Sequence, residues 1–145
     1  MESKLKQAYH IAETYDVTTA RDGAVVYSVS YMPTEVNKNK AQKFIKAHNN
    51  ALMLDNTPCG KALIELGLDG KVNEVGEEIT KVWRLASSRY IKAASGNINA
   101  FVEDADERST FCTTELAEIL ANPKITHING IKKELFVQTF KPKHY

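Results

Sequence analysis

The stretch RSTFCTTELAEIL, residues 108–120, holds the side chain whose type and place first suggest chemistry. Taken two at a time, Ser109, Phe111, Thr113 and Glu115 fall on one strand face. From Glu115 onward, Leu116, Ile119 and Leu120 follow the i, i+3, i+4 spacing of a helix. A carboxylate is therefore expected where a strand gives way to a helix. One reading is electrostatic, because an acid in a first helical turn is favoured by the macrodipole by about 0.3–1 kcal/mol. Thr113 or Thr114 would then be the N-cap. The other reading is catalysis by Glu115. A second constellation is Trp83 with Ser87, four apart and so on one helix face. It offers an aromatic wall beside a hydroxyl donor, or simply a tryptophan in the core. His10, His48, His127 and His144 are scattered, and none pairs at metal-ligand spacing. Cys112 has no evident histidine to activate it and reads as a small core residue. Cys59 lies at the start of an expected helix, where its thiol would either be acidified or pack.

The elements that must position these residues emerge from pattern. A first helix is expected over residues 3–15, with Leu5, Ala8 and Ala12 as its apolar side. RDGAVVYSVSY opens on a turn signal and continues as a short Val-rich strand. EVNKNKAQKFIKAHNNALML reads as a polar second helix with Val36, Phe44, Ile45 and Leu52 as anchors. In DNTPCGKALIELGL, Thr57 is the expected N-cap and Pro58 the first helical residue, with Gly67 or Gly70 closing. The longest helix is expected from Val72 to Ala94, with Val75, Ile79, Val82, Trp83, Ala86 and Tyr90 along one side and Gly96 in the stop. NINAFVE reads as a buried strand, and KITHINGIKKELFVQTFK as one or two more. The fold class is α+β: an N-terminal helical lobe, residues 1–95, then a small, mainly parallel sheet with flanking helices, residues 96–145. The 145 residues are expected to form a single domain.

Composition narrows the partners. Nineteen basic against 18 acidic residues leave a formal charge of +1, which gives no electrostatic case for nucleic acid or a membrane surface. With 43% hydrophobic residues the chain can bury a core. Two cysteines make neither a disulfide framework nor a metal motif and suit a reducing compartment. No apolar run approaches the roughly 18 residues of a membrane span, and no signal-peptide core lies behind the charged N-terminus.

In VWRLASSRYIKAASGNINAFVEDADERSTFCTTEL, a Trp is followed four residues on by Ser, then by Arg and an aromatic. A small-residue segment, a strand, and Ser-Thr-Phe leading to Glu come next. In this chain those are Trp83, Ser87, Arg89, Tyr90, Ala93 to Gly96, Ser109, Thr110, Phe111 and Glu115. This ordered set resembles the core of the ADP-ribosyl cyclase/NAD glycohydrolase family. Upstream, GAVVYSVS resembles that family's aromatic-Ser strand end, and LMLDNTPCGKAL its acidic loop and helix start. Together the pieces span about residues 20–130.

The resemblance implies a role for each matching residue. Glu115 matches the catalytic glutamate and Trp83 the aromatic that stacks near nicotinamide. Tyr27 stands where many members have a second Trp. Asp55 replaces, one methylene shorter, a Glu at the nicotinamide end. Ser28, Ser87, Thr110 and the backbone of Phe111 match phosphate and ribose contacts, and Val29 replaces an Arg that some animal members place near the phosphates. The disulfides of the animal ectoenzymes are absent, which favours the bacterial, contact-dependent toxin branch. The resemblance thus implies an NAD+ glycohydrolase that yields nicotinamide and ADP-ribose, with cyclic ADP-ribose as a minor product and NADP+ as a second substrate. It would be delivered or secreted to deplete NAD+ in a target-cell cytoplasm, opposed by a cognate immunity protein. NAD+ is the substrate, and no cofactor or metal is expected.

The chemistry suits the residue types. Nicotinamide leaves as a neutral molecule, so the leaving group needs no acid, unlike that of an ordinary sugar hydrolase. Positive charge on the ribose is what needs a carboxylate. Aromatic faces attract the pyridinium by about 0.5–2 kcal/mol. Two rivals remain: a mono-ADP-ribosyltransferase, which usually needs an acid or Gln where this chain has Thr113, and a catalytically dead nucleotide-binding domain.

Overall fold

The structure, a computed structural model, describes residues 2–27, 36–68, 76–103, 105 and 111–141. Helix α1, Glu2–Thr14, buries Ala8, Ile11 and Ala12 at helical spacing. Helix α3, Pro58–Glu65, starts as its sequence dictates: Pro58 lies in the first turn and the Thr57 hydroxyl accepts from the Gly60 N–H at 3.1 Å. Gly67, with φ of +90°, lies just past its end. Helix α4, Gly76–Ala93, buries Val82, Ala86 and Tyr90 completely. The chain leaves it through Gly96, at φ +79°, where a Cβ would lie 2.1 Å from Asp22 Oδ1. That position needs glycine both for its backbone and for its space.

Five strands form one sheet: β1, Ala24–Tyr27; β2, Leu52–Met53; β3, Gly96–Phe101; β4, Ile125–Ile128; and β5, Ile131–Lys132. Their order is β2-β1-β3-β4-β5, parallel except for the antiparallel β4–β5 pair. Side chains alternate between two cores, as the period-two pleat requires. Ala24, Val26, Ile98 and Ala100 join the larger core with α1, α3 and α4. Val25, Met53, Tyr27 and Phe101 join a smaller one with Ala41, Phe44 and Ile45 of helix α2, Val36–Ala47. From β1 the chain passes over one face through α2 to β2. It then returns through α3 and α4 on the opposite face to β3, on the other side of β1. The strand order thus reverses at β1, and in open sheets of this kind ligands bind outside the carboxyl ends of the strands at such a point.

Three expectations are corrected. The first half of the chain is not a helical lobe beside the sheet, because β1 and β2 come from it and β1 pairs with β3. The second helix stops at Ala47, and Leu52–Met53 is the edge strand, followed by a 3₁₀ turn over Leu54–Asn56. ELFVQTF is not a strand but helix α6, Lys133–Thr139, held by Phe136, which is buried and stacked on Phe140 at 5.4 Å. The expected start of α4 at Val72, with Val75, lies outside the described residues, as does Gly70.

Candidate active site

Glu115 does not begin a helix from a strand. Phe111–Glu115 forms a π-type turn that runs into helix α5, Leu116–Ala121. Glu115 has helical backbone angles (φ −67°, ψ −41°) and makes no capping hydrogen bond, so Phe111–Glu115 is not strand and the helical path does not begin at Glu115. A π-type turn carries one extra residue per turn, and such turns recur at functional sites. Here Phe111 and Glu115 are both buried, with Glu115 only 7% exposed. A surface acid favoured by the macrodipole would be solvated, so that reading fails. Phe111 packs edge-on against Phe140 at 5.5 Å, which fixes the start of the turn.

Three effects set the charge of Glu115. Burial comes first, and the Asp55 carboxylate second; both disfavour the anion and push its pKa up to about 8. The Ser87 hydroxyl, from α4, donates to the carboxylate and opposes them. Asp55 lies in the 3₁₀ turn after β2 and is itself raised by burial, against the nearby Lys38 ammonium and a hydrogen bond from the Tyr27 hydroxyl at 3.2 Å. Tyr27 ends β1. Tyr27, Asp55, Glu115 and Ser87 therefore form one linked group at the carboxyl ends of β1 and β2, where the topology places a ligand.

The scaffold beneath this group is tied polar atom by polar atom. Tyr90, fully buried on α4, accepts from the Val25 N–H at 2.9 Å, and its one proton serves the Val25 and Leu52 carbonyls. One helix thus stitches β1 to β2 through Tyr90 and meets Glu115 through Ser87, three residues earlier. The Asn122 amide donates to the Ile91 and Ala94 carbonyls at 2.9 and 3.1 Å, which locks the end of α5 to the end of α4. Lys133, buried, donates to the Asn122 carbonyl at 2.8 Å and the Ile119 carbonyl at 3.4 Å. A cation at a helix C-terminus is the favourable arrangement. Arg89 donates to the Ala12 and Tyr15 carbonyls at the end of α1.

The other sequence candidates divide. Trp83 is half-buried against the larger core, one turn before Ser87, and its indole N–H donates to the Leu68 carbonyl. Among the described residues no hydrogen bond or ring contact joins it to Glu115, Asp55 or Tyr27. Ser28, Val29 and Thr110 lie outside the described residues, as does Ser109. Cys59 packs: it is buried, donates to the Ile11 carbonyl at 3.4 Å, and burial pushes its thiol pKa up. No group of three or more His, Cys, Asp or Glu that could hold a metal ion occurs among the described residues, and no described helix is long and apolar enough to cross a membrane. Lys38 and Asn122 had no place among the sequence candidates, and Tyr90 stood only as the aromatic of the motif, with no role assigned to it. For Tyr90 a signal existed, since a phenol on a buried helical stripe must find a partner for its hydroxyl. Lys38 is one of several lysines on a polar helix, and nothing local marks it.

Neither a protein-family model nor a curated protein sequence matches the chain. Solved structures do. Porcine CD38 with a covalent ribo-F-ribose-5'-phosphate intermediate is 19% identical, with a TM-score of 0.51, over 80% of this chain and 63% of that one. Aplysia cyclase with the substrate NGD and the product cGDPR is 14% identical, with a TM-score of 0.56, over 87% and 62%. A CD38 structure described as a conformationally flexible covalent enzyme-substrate complex is 13% identical, with a TM-score of 0.51, over 94% and 83%. The chain spans somewhat over three-fifths of the first two. At these identities the likeness is one of fold: a mixed α+β domain with a mostly parallel five-stranded sheet, matched by members of the ADP-ribosyl cyclase/CD38 family.

Proposed function

We propose that the chain cleaves the nicotinamide–ribose bond of NAD+, giving nicotinamide and ADP-ribose, with cyclic ADP-ribose as a minor product and NADP+ as a second substrate. The observation that carries this reading is the buried Glu115 carboxyl, held by Ser87 and faced by Asp55 at the carboxyl ends of the parallel strands. A fold shared with enzymes captured with a covalent intermediate, or with substrate and product, supports it. The role of the domain as a bacterial toxin, delivered into a target cell and neutralised by an immunity protein, rests on the sequence resemblance.

The chain's own groups suffice for the step. As the glycosidic bond to the pyridinium nitrogen breaks, its electron pair goes to the ring nitrogen and nicotinamide leaves neutral. The ribose is left as an oxocarbenium-like cation, which an ionised Glu115 in a water-poor setting stabilises. Water adds at the anomeric carbon and gives up a proton to the solvent, or the adenine nitrogen adds instead, and the two outcomes give the linear and cyclic products. Ser28, Ser87 and Thr110 hold ribose and phosphate hydroxyls and oxygens, Trp83 and Tyr27 face the pyridinium, and Asp55 meets its carboxamide end.

In the free site Glu115 is largely protonated at neutral pH, since its pKa is pushed up to about 8. The active form is the anion, so kcat/KM rises tenfold per pH unit below about 8 and levels off above it. A cationic substrate placed beside Glu115 favours the anion, so binding near neutrality releases a proton. The test is chromatography of NAD+ incubated with the purified chain, scoring ADP-ribose, cyclic ADP-ribose and nicotinamide, with Glu115→Gln alongside. Release of nicotinamide by the wild type and none by the variant is expected. NAD+ binding without release over hours would replace this reading with that of a binding domain.

A further inference from the structure

Two of the residues in which this chain departs from the family pattern, Tyr27 and Asp55, touch each other. Strands β1 and β2 pair with Ala24 opposite Leu52 and Val25 opposite Met53. Carried two residues further, the same offset brings Tyr27 level with Asp55, and its hydroxyl donates to Asp55 Oδ2 at 3.2 Å. The turn that carries Asp55 cannot drift away. A Cβ on Gly60 would lie 2.0 Å from the Leu54 carbonyl oxygen, so the start of α3 is pressed against that turn. Tyr90 also bonds both strands beneath it.

Charged and titratable groups meet the acid pair from every side. Asp55 faces Lys38 from α2, Tyr27 from β1, Tyr90 from α4 and Glu115 from the π-type turn. Glu115 faces Asp55, with Ser87 and Tyr90 from α4. We propose that Tyr27 is a positioning residue: its hydroxyl, donating to Asp55 Oδ2, fixes that carboxylate within the group it shares with Glu115 and so governs when Glu115 becomes an anion. The proposal rests on the reading of Glu115 as the catalytic carboxylate, although its physical content does not. A donor to a carboxylate favours the charged form, and a charged carboxylate disfavours ionisation of its neighbour. Tyr27 therefore acts on Glu115 through Asp55. Such coupled acids share their titration, so what Tyr27 does to one is read at the other. A tyrosine that merely packed its ring beside Phe44 and Phe101 in the smaller core would leave that titration where it was.

The experiment is a 13C titration of side-chain carboxyls in the whole chain labelled at Glu, with the Glu115 signal assigned by its loss in Glu115→Gln. Wild type, Tyr27→Phe, Asp55→Asn and the double variant are compared. In Tyr27→Phe the Glu115 midpoint is expected to fall below that of the wild type by on the order of half a pH unit to one unit, the scale at which paired sites interact. In Asp55→Asn it falls at least as far, and in the double variant it equals that of Asp55→Asn. An unchanged midpoint in Tyr27→Phe, or an added shift in the double variant, overturns the proposal. If the Phe variant does not fold, Tyr27→Met, which also lacks the hydroxyl, carries the same expectation. The titration needs no turnover. Shifted midpoints in a chain that releases no nicotinamide would sink the proposed function and leave the positioning role standing, and turnover with invariant midpoints would do the reverse.

Discussion

Glu115→Gln keeps the size of the side chain and removes its ionisation, so it separates what the buried acid does for the reaction from what it does to the fold. In the folded chain the pKa of Glu115 is raised from 4.5 to about 8. Between those values the native state holds more protons than the unfolded state, so stability falls as pH rises. At about 1.4 kcal/mol per unit, the rise amounts to on the order of 5 kcal/mol lost between pH 4.5 and 8. Asp55, also raised, adds the same sign. The glutamine variant has no such term at position 115 and gains from leaving Asp55 without a charged neighbour. Urea unfolding at whole pH values from 5 to 9 is the assay. The two proteins are expected to be close at pH 5 and to diverge steadily, with the inactive variant the more stable by several kcal/mol at pH 9. Parallel stability curves would refute the claim that Glu115 is buried as a neutral acid, and with it the pH dependence proposed for turnover. A site that weakens the fold by being ready for charge is the usual cost of preorganised electrostatics.

Other perturbations test the parts around it. Ser87→Ala removes a donor that favours the Glu115 anion, so the acid limb of kcat/KM should move to higher pH, read from a rate profile between pH 6 and 10. Asn122→Ala strips the tie between α4 and α5 and leaves buried carbonyls unsatisfied. A loss of about 2–3 kcal/mol is expected in denaturant unfolding. Gly60→Ala drives a Cβ into the Leu54 carbonyl, so the turn carrying Asp55 must shift, and a lowered melting temperature with an altered Glu115 midpoint is expected.

Local signals in the sequence were reliable where one stretch decides its own conformation. Thr57 and Pro58 open α3, the apolar stripe of Val82, Ala86 and Tyr90 runs along α4, and Gly96 ends the exit from it. They misled where tertiary packing overrides pattern. Leu52–Met53 is too short to show a period and becomes a strand only because β1 offers an edge. ELFVQTF carries strand-like residues, yet it is helical because Phe136 and Phe140 must stack on one side. The period-two reading failed over Phe111 to Glu115 because a π-type turn obeys neither the helical nor the strand period. The chemistry-bearing residue types at Glu115, Ser87, Asp55 and Tyr27 were visible, but their mutual contacts were not. A hydroxyl 28 residues before the acid it bonds leaves no mark in a linear pattern.

The sheet order β2-β1-β3 has a consequence for how the molecule comes into being. Tyr27, Asp55, Ser87 and Glu115 meet only after three parallel strands from distant parts of the chain have paired, and such non-local pairing is slow. Asp55 and Glu115 are brought together by contacts made elsewhere, and burial beside Asp55 keeps Glu115 protonated near neutrality. Partly assembled chains therefore lack the constellation entirely, and competence should arrive in one late, cooperative event.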